Sequence, residues 1–191
     1  VLAAAPASAE TMHFKVRGQE AVAAFSSIDS TGCILTSAFV AAIDADVKTS
    51  PGPGEPDSRS FVIVSRYDRC THVELLDAFG ENTALPADAF VISELESARL
   101  LATIDVVDQV SGTSFPLSLD INWTATGETG RVRDHYQLKT PGFSVNAKFN
   151  ATSREASATG TISDGSTNYT STPADFALLN SIKAGALEIV R

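Results

Sequence analysis

Residues 115–126 read FPLSLDINWTAT, and this stretch decides the fold class. In an extended chain Leu117, Leu119, Ile121 and Trp123 point to one face, and Ser118, Asp120, Asn122 and Thr124 to the other. Such alternation is the pattern of a strand with one side on a core and the other in water. Trp123 keeps phase with three aliphatic residues, so it reads as core and not as an exposed sugar-stacking platform. The Ser118–Asp120–Asn122–Thr124 face is open to sugar hydroxyls or to solvent.

The same period of two recurs outward in both directions. Met12, Phe14 and Val16 alternate with His13, Lys15 and Arg17. Further strands are predicted over 20–28, 33–46, 61–67, 70–79, 89–94 and 98–108. Between two of them, 49–58 (TSPGPGEPDS) carries three prolines and two glycines and reads as a hairpin-like loop. Beyond 126, strands over 131–138, 143–152, 156–162 and 167–170 form a meander, with Asp164-Gly165 as a hairpin turn. Thr172-Pro173-Ala174-Asp175 has the form of a helix start, with Pro at the first helical position. It predicts a short helix over 174–182, ended near Gly185, before a last strand at 186–190. The expected architecture is all-β: an antiparallel two-sheet β-sandwich over 10–191 with one short C-terminal helix.

Composition agrees with a folded β-domain. Of 191 residues, 43% are hydrophobic and 19% charged, enough apolar material for a core. The formal charge is -9 and the pI about 4.7. An acidic chain with no run of Lys and Arg is not expected to bind nucleic acid or anionic membranes.

Residues 1–9, VLAAAPASA, end in an Ala7-Ser8-Ala9 cleavage pattern behind an apolar segment. They are expected to be a signal-peptide remnant or a disordered N-terminus. No stretch is long and apolar enough to predict a transmembrane helix. Cys33 and Cys70 each stand at the start of a predicted strand and are expected to form a disulfide, which suits an oxidising compartment. Closing that loop is worth roughly 4 kcal/mol by the chain-entropy relation. The expected location is secreted, extracellular or in the cell envelope.

Two polar clusters are candidate ligand sites. In 65–72 (SRYDRCTH), Arg66, Tyr67, Asp68, Arg69 and His72 crowd a strand end and its turn. There the arginines would hold an acid or a sugar hydroxyl while Tyr67 stacks; the alternative is a solvated turn with an Arg–Asp pair. In 131–137 (RVRDHYQ), Arg131, Arg133 and His135 share one strand face, suited to an anion or a carboxylated sugar, or to neutralising an acidic neighbour. Asp44 and Asp46 also share a face and are the candidate Ca²⁺ ligands, although Ca²⁺ takes six to eight oxygens, usually from several loops. No other cofactor is implied. Asn122, Asn150 and Asn168 stand in N-x-T sequons.

No nucleophile elbow, zinc-protease helix or phosphate-binding loop occurs, so no catalytic residue is assigned. Asp134 and His135 are adjacent on a predicted strand and point to opposite faces, which prevents them from acting as an orienting pair.

Three segments carry a resemblance: 111–115 (SGTSF), 122–127 (NWTATG) and 156–165 (ASATGTISDG). Through them the chain resembles uncharacterised secreted bacterial all-β proteins with no assigned function, over most of its length after Ile28. The resemblance implies a bacterial envelope or extracellular location and transfers no activity.

The leading expectation is a secreted, non-catalytic module that binds an extracellular glycan or protein. One alternative is a self-assembling fibre subunit that donates its N-terminal strand to a neighbouring copy. The other is an extracellular hydrolase using His72 or His135.

Overall fold

The computed structural model describes residues 10–50, 52–141 and 143–190. The expected signal remnant, 1–9, lies outside them. Among the described residues nine strands follow in chain order: β1 (Glu10–Ile28), β2 (Ile34–Ser50), β3 (Gly54–Asp68), β4 (Val73–Asn82), β5 (Phe90–Ser93), β6 (Ser97–Asp108), β7 (Ser114–Thr140), β8 (Phe143–Ser163) and β9 (Phe176–Val190). The protein is all-β, and every strand pairing is antiparallel. Among the described residues no helix is long and apolar enough to cross a membrane.

The strands form one sheet in the order β4-β3-β2-β1-β9-β8-β7-β6-β5, and β4 also pairs with β6. This corrects the expected two-sheet sandwich: eight strands make a closed ring of hydrogen-bonded neighbours, with β5 hung on β6. A period of two reports only that a strand has an inner and an outer face; it is the same in a sandwich and a closed sheet. The seam is short. Ala78 faces Asp108 and Phe79 faces Val107, and the Gln109 amide donates to the Asp77 carbonyl at 2.7 Å.

The predicted helix at 174–182 is a second correction. Phe176–Val190 is strand β9, bonded to β1 on one side and to β8 on the other. Ala177 and Leu179 are buried while Phe176 is exposed, which is a period of two. The chain reaches its place through the Ala174 amide on the Ala158 carbonyl and the Asp175 amide on the Ala24 carbonyl. Filling the gap between two long edges outweighs the local helix-start signal. The predicted loop at 49–58 is also shorter, because β2 runs to Ser50 and β3 begins at Gly54.

The core lies inside the ring. Leu117, Leu119, Ile121 and Trp123 of β7 face Ala21, Ala23 and Phe25 of β1, Val40 of β2, Val62 and Val64 of β3 and Leu100 and Ile104 of β6. Cys33 and Cys70 are bonded, with Cα atoms 5.3 Å apart. They tie the β1–β2 turn to the β3–β4 turn at one end.

At the other end the strands are unequal. β7 has 27 residues and β8 has 21, whereas β6 has 12 and β4 has 10. β7 pairs with β6 only as far as Thr124, and β3 with β4 only from Ser60. Beyond those points β7, β8, β9, β1, β2 and the start of β3 continue as a single-layer extension. Its two faces are those of the ring: one continues the interior, the other the exterior.

Candidate anion-binding face

Register determines what the interior-derived face of the extension carries, because directly paired residues on antiparallel strands project to the same side. One rung runs Arg133 (β7), Asn150 (β8), Lys183 (β9), Arg17 (β1) and Asp46 (β2). The next rung outward is His135, Lys148, Gly185, Lys15 and Lys48. The rung inward is Arg131, Thr152, Ser181, Gln19 and Asp44. Lys139, opposite Ser144, lies farther out on the same face. All five lysines of the chain therefore share this face, together with Arg17, Arg131 and Arg133.

That distribution is uneven in a chain of formal charge -9. Eight of the 14 Lys and Arg side chains stand here, against two of the 23 carboxylates, Asp44 and Asp46. Two pairs of like charges are directly opposed, Lys15 with Lys48 and Arg17 with Lys183. Such pairs destabilise a sheet. The ion pairs found among the described residues are Arg59 with Asp57 and with Glu81, Arg99 with Asp120, and Arg154 with Glu96. Of the cations in these pairs Arg154 stands on this face, at its inner end; none of the eight above takes part, and their side chains are exposed.

The surface is troughed. A cavity of about 310 Å³ is lined by Arg17, Gln19, Asp44, Asp46, Ser181 and Lys183. A second of about 330 Å³ is lined by Arg131, Arg133, Asn150, Thr152, Ser181 and Lys183. The two share Ser181 and Lys183, so they form one polar trough across five strands. His135 Nε2 lies 2.9 Å from the Asn146 side-chain oxygen, which fixes the ring against the sheet. At the inner end the Arg154 guanidinium donates to the Gly127 carbonyl and pairs with Glu96, separating trough from core.

The structure thus joins two features that the sequence holds apart. Arg131, Arg133 and His135 stand on the same face as Asp44 and Asp46. The two aspartates sit opposite Gln19 and Arg17, among cations. Among the described residues one group of three donor atoms is close enough to hold a metal: Cys33, Asp68 and Cys70. Its sulfurs are joined in the disulfide and cannot act as thiolates.

The 65–72 cluster lies at the opposite end of the ring. Asp68 accepts the amides of Cys70 at 2.8 Å and Thr71 at 3.0 Å, and the Thr71 hydroxyl and amide hold its carboxyl below the usual range. The Arg69 amide donates to the Cys33 carbonyl at 2.8 Å. Tyr67 Oη is 3.3 Å from His72 Nδ1, and His72 adopts φ 60°. Arg66 and Tyr67, as neighbours on β3, face opposite sides. This is a built turn whose polar groups serve its own backbone. None of its side chains lines the trough.

Sequence reading missed Lys15, Arg17, Lys48, Lys139, Lys148 and Lys183 as site residues. A signal existed in the alternation of Lys15 and Arg17 with Phe14 and Val16. The cations come from five strands, however, and only register assembles them. In comparisons with protein families, curated proteins and solved structures, nothing matches this chain.

Proposed function

We propose that this chain is an extracellular, non-catalytic binding module whose basic trough holds a polyanionic polysaccharide, carboxylated or sulfated. One observation carries the reading: Lys15 with Lys48 and Arg17 with Lys183 are stacked on directly opposed positions, with no ion pair at any of the four among the described residues, on a chain otherwise strongly acidic. A sheet gains nothing from that arrangement by itself; a bound polyanion would turn each repulsion into attraction. The trough spans five strands, about 20 Å at the spacing of a β-sheet, long enough for several charged sugar units. The disulfide is compatible with an oxidising compartment.

Single-stranded nucleic acid offers the same charge. Its binding sites add aromatic platforms for the bases, and among the described residues this face carries no Phe, Tyr or Trp. The hydrolase alternative has little support: among the described residues neither the His72 nor the His135 imidazole hydrogen-bonds a carboxylate. The fibre alternative needs a free donor strand, and β1 is paired on both sides within its own chain.

The test is titration of the chain with polygalacturonate, heparin, neutral dextran and oligo-dT over a range of salt. The reading expects binding to the acidic polysaccharides, weakening as salt rises, and none to dextran. Replacing both Lys148 and Lys183 by Ala should lower the slope of log affinity against log salt by about two. Binding to dextran alone, or binding indifferent to both substitutions, would overturn it. Tighter binding to oligo-dT than to either polyanion would reassign the trough to nucleic acid.

A further inference from the structure

The reverse of the extension is its chemical opposite. Val132, Asp134, Tyr136 and Leu138 of β7 point there. So do Phe149 and Ala147 of β8, Ala184 and Ala186 of β9, and Phe14 and Val16 of β1, by direct pairing. Val132 is 56% exposed, Tyr136 55%, Phe14 41% and Phe149 39%. An apolar face on a single-layer sheet is left wet at a large cost in hydration free energy.

We propose that a second copy of this chain covers that face, back to back. Three features favour a copy over an unrelated partner. First, the face is self-complementary in relief. Phe14, Tyr136 and Phe149 wall a furrow of about 270 Å³ floored by Ala147, Ala184, Gly185 and Ala186. Knobs and furrow are thus on one surface, as a two-fold contact requires. Second, its centre carries little net charge. Among the described residues the charged groups lining the furrow are Asp134 and Lys148, one of each sign, so superposing two copies brings no cluster of like charges together. Third, the size is right. Five strands of about nine residues present about 700 Å² per copy at sheet dimensions, near the ~800 Å² per partner of a stable interface.

In such a pair the two basic troughs face outward on opposite sides. If the troughs hold a polyanion, as proposed above, the dimer would bridge two chains of it. The dimer itself does not depend on that reading, and its test contains no ligand.

Sedimentation equilibrium of the full chain from 1 to 100 μM reads the mass. The expected result is a species of about twice 20.0 kDa for the native sequence. Tyr136→Asp and Val132→Asp, both at well-exposed positions, should each give monomer with an unchanged circular dichroism spectrum. The second variant guards against a folding defect in the first. A native chain that stays monomeric at 100 μM would overturn the proposal. So would a dimer that survives in both variants.

Discussion

The indole Nε1 of Trp123 donates a 2.9 Å hydrogen bond to the main-chain carbonyl of Val22, across the inside of the ring from β7 to β1. Trp123 is 1% exposed and is among the largest fully buried side chains. It fills the core and also fixes the distance between these two walls, just where the extension begins. Trp123→Phe keeps most of the volume and removes the donor. It should cost about 1–3 kcal/mol in unfolding free energy by denaturant titration, since the buried N–H bond is lost and a void is left. Trp123→Ala should cost about 3–5 kcal/mol. Equal costs for the two would show that the lost hydrogen bond, and not the lost volume, sets the penalty.

The seam between β4 and β6 is the weakest joint of the ring. Asp108 stitches it: the carboxylate accepts the Asp77 amide at 3.1 Å from β4, the Val110 amide at 3.0 Å, and the Ser111 hydroxyl at 2.5 Å. Asp108 is itself buried, and Asp108→Ala removes the acceptor of all three bonds and should cost about 1–3 kcal/mol. A Cβ at Gly80 would overlap the Asp105 carbonyl oxygen and press on Val106. Gly80→Ala should therefore spread the same seam. Hydrogen exchange checks both: protection should fall first at residues 77–80 and 105–109. If protection falls uniformly around the ring, the seam is not a separate joint.

Much of this architecture is legible in the chain and some is not. The face that Leu117, Leu119, Ile121 and Trp123 share follows from spacing alone, and Cys33 and Cys70 are bonded as two cysteines in a chain read as secreted are expected to be. Closure depends on β4 meeting β6 over two residue pairs, which leaves almost no pattern. Residues 174–182 carry a real helix-start signal, and the strand forms because two edges lie ready to receive it. Arg131, Arg133 and His135 are visible as half of a site. Their partners Lys148, Lys183 and Lys15 join them only through register, which no local spacing encodes.

The 164–169 turn gives the fold a pH signature. Tyr169, 4% exposed, donates to Asp164 at 2.6 Å, and Asp164 also accepts the amides of Ser166 and Thr167. Burial, then the bond to Asp164, pushes the phenol up to about 12. The folded state therefore holds that proton more tightly than the unfolded chain. Its stabilising effect is complete below an ordinary tyrosine value of about 10 and disappears as pH rises through about 12. Burial pushes the Asp164 carboxyl up, but the Tyr169 hydroxyl and the Thr167 and Ser166 donors outweigh it and leave the group well below the usual range. That contribution is present above an ordinary aspartate value of about 3.9 and is lost as pH falls toward the folded value. Tyr169→Phe should flatten the alkaline fall between pH 10 and 12 in a series of denaturant midpoints. An unchanged alkaline limb would mean that another group titrates there.

The directly opposed Lys15 and Lys48 offer a test in which stability and binding move in opposite directions. Lys15→Glu replaces a cross-strand repulsion by an attraction to Lys48. Exposed pairs of this kind are worth about 0.2–1 kcal/mol, so the variant should unfold at slightly higher denaturant concentration than the native chain. The same substitution makes the rung beside the trough two charge units more negative, next to Arg17 and Lys183, and should weaken polygalacturonate binding at least tenfold at low salt. Residues retained for function at the expense of stability behave in this way. A Lys15→Glu chain that is less stable and binds as before would mean that the stacked cations serve the sheet, and the trough would lose its claim to a ligand.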